Sequence, residues 1–162
     1  MKASEDALKD KKVLIVDDEP DVLDTLEEML SMCQVVRAST FEEAKRHLNK
    51  QRLDLAVLDI MGVNGYELLG IAVQKKVPAV MLTAHALSPE DTMKSHRCGA
   101  SFFVPKDKIG DIAEILSGVL EAKEKGKSTW MPFMNWAEGY YTAKFGPKWE
   151  SCDVEFWKRL SK

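Results

Sequence analysis

Five short apolar runs, Val13–Val16, Val35–Val36, Leu55–Leu58, Ala79–Leu82 and Phe102–Val104, recur across residues 12–125, and stretches with helical spacing lie between and after them. Strands that alternate with helices build a parallel sheet covered on both faces, because each strand must cross over through a helix before pairing in the same direction. The central runs are continuously apolar, as burial on two faces requires. The spacing predicts five helices. Residues Pro20–Leu30 carry Val22, Leu23, Leu26, Met29 and Leu30 on one face. Thr40-Phe41-Glu42-Glu43 reads as a capping box opening the second helix. Ser88-Pro89-Glu90 is a further start, with Ser88 as cap and Pro89 at the first helical position, where a missing N–H costs nothing. The fifth helix follows Asp107 and aligns Ile109, Ile112, Ala113, Leu116, Val119 and Leu120.

A chain of 162 residues, 45% hydrophobic, can bury one core and an appendage, but hardly two full domains. The charged, glycine-containing stretch Lys123–Ser128 marks the change in composition. The expected organisation is a leader over 1–11, an α/β domain over 12–125 and an extension over 126–162. All four Trp and nine of the 13 aromatic residues fall in residues 128–162. Aromatic platforms for nucleic acid also need a basic groove. Five Lys or Arg against four Asp or Glu leave this segment a net of only +1, so direct nucleic-acid binding is not expected. Phe133, Trp136, Tyr140 and Phe145 predict a helix that Gly146-Pro147 ends, and Phe156, Trp157 and Leu160 predict a second. Their aromatic face is expected to pack on the preceding domain or on a second protomer, which admits a homodimer. A net charge of −3 gives no basic surplus for anionic membranes, and no apolar run approaches the roughly 20 residues that span a bilayer. The charged N-terminus lacks a secretory apolar centre, which implies a cytoplasmic protein. Cys33, Cys98 and Cys152 are widely separated, so neither a disulfide framework nor a zinc site is expected.

Open parallel sheets bind ligands outside the carboxyl ends of their strands. There the chain puts Asp17-Asp18 after the first run, Asp59 after the third, Thr83 after the fourth and Lys106 after the fifth. Singly, each of these is an ordinary turn or cap residue. Jointly, three carboxylates, a hydroxyl and an ammonium converge in one crevice. Clustered carboxylates repel, and a hard divalent cation with oxygen ligands, Mg²⁺ above all, relieves them. Such a site can hold a phosphoryl donor beside a carboxylate nucleophile, with Lys106 and Thr83 available to phosphoryl oxygens.

Residues 12–125 resemble bacterial response-regulator receiver domains in Val13-Leu14-Ile15-Val16-Asp17-Asp18-Glu19, Leu58-Asp59-Ile60-Met61, Met81-Leu82-Thr83-Ala84 and Gly99-Ala100-Ser101-Phe102-Phe103-Val104-Pro105-Lys106. The resemblance implies a doubly wound, flavodoxin-like sheet of order 2-1-3-4-5. It implies phosphoryl transfer to Asp59 from a histidine kinase or phosphotransfer protein, and switched binding of a downstream protein, with no separate substrate acted upon. By the same resemblance Asp18, Asp59 and the Met61 backbone carbonyl would hold Mg²⁺, Asp17 would act through water, and Thr83 and Phe103 would relay the switch. Two departures stand out. The loop Gly62-Val63-Asn64-Gly65 is about two residues shorter than the family's usual form, and Lys106-Asp107 replaces its common Lys-Pro, where a cis bond would cost about 2.5–4 kcal/mol. These leave a phosphate-independent interaction module as the alternative reading. An aspartyl phosphatase fits poorly, because its nucleophile belongs in an Asp-x-Asp pattern on the first strand, where this chain has adjacent aspartates. His85, near Thr83, reads as a solvated loop residue before it reads as a tuner of hydrolysis.

Overall fold

The computed structural model describes residues 6–84 and 89–148. Five strands, β1 (Lys12–Val16), β2 (Gln34–Ala38), β3 (Leu55–Asp59), β4 (Ala79–Thr83) and β5 (Phe102–Pro105), form one parallel sheet of order β2-β1-β3-β4-β5, the expected order. Register brings their carboxyl ends level: Val16 sits opposite Ala38 and Leu58, Asp59 opposite Leu82, and Thr83 opposite Pro105. The strand order reverses around β1, so a crevice opens between the ends of β1 and β3. β3 and β4 are buried at every position, whereas the edge strand β2 is largely half-exposed. That is why β2 announces itself with only two apolar residues.

Helices among the described residues are, in order, α1 (Pro20–Met29), α2 (Phe41–Lys50), α3 (Gly65–Gln74), α4 (Pro89–Arg97), α5 (Ile112–Glu124) and α6 (Trp130–Phe145). α1 packs beside α5 and α2 beside α3, the two layers that right-handed crossovers create. On α1 the buried stripe is Leu23, Leu26 and Leu30; Met29, expected on that face, is 39% exposed because the 100° turn per residue carries it past the stripe's edge. The start of α2 keeps half of the capping box. The Glu43 N–H donates to Thr40 Oγ1 (3.2 Å), but the Glu43 carboxylate accepts from the Ser39 and Thr40 hydroxyls rather than from the cap backbone. α4 is described from Pro89, while Ser88, the expected cap, and His85 lie outside the described residues.

The predicted fifth helix is two elements, a 3₁₀ segment Lys106–Asp111 and then α5, and Ile109 is only half-buried as a result. α5 ends in a Schellman-type motif, with Gly126 at φ 66°, Gly126 N–H donating to Lys123 O and Lys127 N–H to Ala122 O. This turns the chain back into α6, which lies along β5. The buried stripe of α6 is Phe133, Ala137 and Tyr141. The helix predicted from Phe133, Trp136, Tyr140 and Phe145 is present and is capped by Gly146, as expected. Among the described side chains, Tyr140 flanks the buried stripe and Phe145 is 41% exposed. The predicted helix around Phe156, Trp157 and Leu160 lies outside the described residues. Leu8, in the expected leader, is fully buried in the core, and Asp10 N–H donates to Met32 O. Among the described residues, Cys33 and Cys98 are free thiols and no helix is long and apolar enough to cross a membrane.

Candidate functional site

The crevice at the carboxyl ends of the strands gathers the residues singled out in the sequence. Asp17 and Asp59 are buried against the sheet, while Asp18 and Glu19 stand exposed at its mouth. The local reason is geometric: β1 ends at Val16, and Asp17 turns the chain by accepting the Glu19 N–H on Oδ1 (2.9 Å) before Pro20 opens α1. Asp59 is the last residue of β3, and its strand neighbours are apolar throughout.

Lys106 reaches in from the end of β5. Its Nζ lies 2.9 Å from Asp17 Oδ2, 2.8 Å from Glu19 Oε1 and 3.5 Å from Asp59 Oδ1. With Asp107 following it, Lys106 still carries its ammonium into the crevice, among three carboxylates. Every peptide bond among the described residues is trans. Burial works to lower the Lys106 pKa, yet the hydrogen bond to Glu19, the close Asp17 carboxylate and the nearby Asp59 charge outweigh it and hold the ammonium protonated. Burial pushes the Asp59 carboxyl up from 3.8 to about 7, with the Asp17 charge adding to the shift and Lys106 opposing it. Burial also raises Asp17. Both shifts reflect the expense of crowded carboxylates in a low-dielectric crevice.

Three observations bear on whether these residues suit a divalent cation. Asp17 Oδ2 is buried and has no hydrogen bond of good geometry, only the ion pair to Lys106. Asp17, Asp18 and Glu19 can bring one ligand oxygen each within 4.8 Å of one another, a group that adds Glu19 to the expected set and does not include Asp59. Finally, the loop after β3 presses its backbone against the Asp18 carboxylate at Gly62, where a Cβ would sit 2.4 Å from Asp18 Oδ2. Gly62 has φ 85°, a conformation that glycine adopts without strain. Its neighbour Met61 is 61% exposed, on the same loop. Oxygen-rich, buried on one side and open on the other, the site fits a hard cation.

Glu19 and Gly62 join the site beyond the residues the sequence pattern picks out. Gly62 has a signal in the sequence, a glycine in the loop that follows the central aspartate; Glu19 has none beyond its place after Asp17-Asp18. Thr83, at the end of β4, is buried and stands opposite Pro105, next to Lys106. Phe103 is 1% exposed and pairs with Met81 on the same two strands. Gly65 lets α3 start against β3: a Cβ there would lie 2.1 Å from the Asp59 carbonyl oxygen.

Residues 13–117 match the response regulator receiver domain family. A two-component response regulator of Arabidopsis thaliana, ARR18, is 32% identical over 115 residues, which is 64% of this chain and 18% of that protein. The chain thus spans about a fifth of the length of such relatives. Among solved structures, a CheY-like receiver domain protein from Methanospirillum hungatei aligns over 73% of this chain and 99% of its own, with a TM-score of 0.65 and 26% identity. The chemotaxis protein CheY4 of Vibrio cholerae aligns over 68% of this chain and 98% of its own, with a TM-score of 0.62 and 28% identity.

Proposed function

Because the chain belongs to the response regulator receiver family of two-component signalling, we propose that it is a phosphorylation switch with Asp59 as acceptor, charged by a histidine kinase or phosphotransfer protein and read by a downstream protein. The observation that carries this reading is the meeting of Asp59, Asp17 and Lys106 at one point, with Lys106 Nζ 3.5 Å from Asp59 Oδ1 and 2.9 Å from Asp17 Oδ2. A buried carboxylate held beside a fixed ammonium and an acidic mouth is what phosphoryl transfer to aspartate requires.

In this reading the ionised Asp59 attacks the phosphorus of a phosphohistidine, the new O–P bond forms as the P–N bond breaks, and the imidazole leaves. Lys106 exchanges part of its pairing with Glu19 and Asp17 for a phosphoryl oxygen, and the Thr83 hydroxyl donates to another. Asp18, Asp59 and the Met61 carbonyl would hold Mg²⁺, with Asp17 acting through water and Glu19 at the mouth. When bound, the ion offsets carboxylate repulsion and neutralises charge on the transferring group. Drawing Thr83 toward Asp59 lets Phe103 repack on β5, which biases the surface around β4 and β5.

Incubation with acetyl phosphate and Mg²⁺, followed by intact mass, tests the assignment. One phosphoryl adduct that Asp59→Asn abolishes is expected. An adduct that survives that substitution would move the acceptor elsewhere, and no adduct on either protein would leave a phosphate-independent interaction module. In the same assay Thr83→Ala is expected to accept phosphoryl while losing the partner response.

A further inference from the structure

The amino ends of the strands, opposite Asp59, carry the reverse charge. A cleft of about 610 Å³ opens there between the last turn of α2, the turn from α3 into β4, the end of α5 and Lys11. It lies roughly 15 Å from Asp59 along β3. Lys11, Lys50, Arg52, Lys75, Lys76 and Lys123 line it against two carboxylates, Asp54 and Glu124, in a chain whose net charge is −3. Asp54 is already engaged, accepting the Lys12 N–H on Oδ2 (2.9 Å). Lys123 donates from Nζ to the Lys76 carbonyl oxygen (3.1 Å). The other five cations have no ion-pair partner among the described residues, whereas Arg37, Lys106 and Lys125 elsewhere in the fold are all paired.

Lysines at helix C-termini are ordinary, because each terminus carries about half a negative charge. The C-termini of α2, α3 and α5 all meet this cleft. Together they offset only about 1.5 of the cleft's surplus of four positive charges, so roughly 2.5 remain unanswered. The backbone points the same way. α3 and α5 close with one hydrogen-bond pattern: Lys76 N–H donates to Val73 O and Val77 N–H to Ala72 O, as Gly126 and Lys127 donate at the end of α5. α5 puts glycine at the left-handed position, with φ 66°, whereas α3 puts Lys76 there, with φ 60°. A side chain at such a position strains the backbone where glycine does not. Strain kept at a residue that lines a cleft points to a use for its side chain.

We propose that this cleft is a binding site for a small oligophosphate, a linear chain of phosphoryl groups that is free or carried on a nucleoside. Lysine ammoniums meet phosphate oxygens as point charges, and the Arg52 guanidinium can take two oxygens at once. The volume is that of a small-ligand site rather than of a flat contact. Its floor is apolar, with Leu48, Leu53, Val77 and Leu120 all buried. Bound phosphates are thereby shielded from water on one side, which strengthens their attraction to the cations. A long nucleic-acid backbone fits worse, because it needs a continuous basic track. Past Lys11 the surface turns acidic instead, around Asp6, Glu114 and Glu121. The site stands apart from the reading of Asp59 as phosphoacceptor, and neither depends on the other.

The experiment titrates the full chain with sodium tripolyphosphate and with ATP by calorimetry, in EDTA so that no metal bridges phosphate to the acidic crevice. Saturable binding of one ligand per chain below about 1 mM is expected, weakening as salt rises. Lys50→Gln with Arg52→Gln is expected to weaken it at least about tenfold. Lys108→Gln with Lys144→Gln removes the same charge outside the cleft and is expected to stay within about twofold of wild type. Lys76→Gly is expected to raise the unfolding midpoint of the free chain, by relieving the left-handed strain, while weakening tripolyphosphate at least about threefold. Equal affinity for the two ligands assigns the phosphate chain alone, and tighter ATP adds the nucleoside; both support the site. No saturation by either ligand would overturn it. So would equal weakening in the two double variants, which would trace binding to net charge. A single-stranded oligonucleotide that binds more tightly than tripolyphosphate and loses affinity in the Lys50 and Arg52 variant would overturn the small-ligand assignment in favour of a nucleic-acid track.

Discussion

Asp59 is costly to ionise where it stands, and the cost has a sign that can be measured. With its pKa raised from 3.8 to about 7, the folded chain binds a proton between those values that the unfolded chain has released. Stability therefore falls as pH rises through that window, and the penalty is fully present above about pH 7. Asp59→Asn is expected to stabilise the chain in EDTA by about 2–4 kcal/mol at pH 8 and by little at pH 4, checked by urea denaturation. An equal effect at both pH values would show that Asp59 is not the group that titrates. Gly62 carries the next expectation. Gly62→Ala forces a Cβ against the Asp18 carboxylate and adds strain at a positive φ, so Mg²⁺ affinity by calorimetry should fall roughly tenfold. Asp18→Ala should weaken it as well, through loss of a ligand oxygen rather than through crowding. Asp59 and Lys106 were legible in the sequence because each follows an apolar run. The part of Glu19 was not, because the turn that aims it at Lys106 depends on where α1 and β5 come together.

The secondary structure elements divide by how local their determinants are. α2 is set by short-range chemistry, with Thr40 accepting the Glu43 N–H, and Thr40→Ala should cost about 1 kcal/mol of global stability in denaturant titration. β3 and β4 declare themselves because burial on both faces leaves a polar residue only at the carboxyl end of each, Asp59 and Thr83. α6 differs from both. Its buried stripe of Phe133, Ala137 and Tyr141 is fixed by what β5 and α4 present to it, so its helical phase could be read only approximately. The Lys106–Asp111 3₁₀ segment before α5 likewise starts at a residue whose side chain is held from far away in the chain, by Asp17 and Glu19.

At the scale of the whole molecule, the N-terminal Leu8 and the C-terminal Phe133 are both fully buried in one hydrophobic cluster with the sheet. Phe133→Ala removes a buried ring from that cluster at a cost typically of about 3–5 kcal/mol. The loss is expected to fall first on α6, seen as faster hydrogen exchange of residues 130–145 while β1, β3 and β4 stay protected. Uniform loss of protection across the sheet would mean instead that α6 and the five-stranded fold open as one unit. The sequence by itself determined the α/β alternation, the two-sided burial of the central strands and the ends at which chemistry collects, because these depend on continuous apolar runs, on the 3.6-residue helical period and on neighbours within one turn. It could not determine the partner of Lys106, the phase of α6 or the burial of Leu8. Those depend on residues far apart in the chain, Lys106 with Glu19 and Thr92 with Tyr141, whose distances exist only once β1, β5, α4 and α6 have packed.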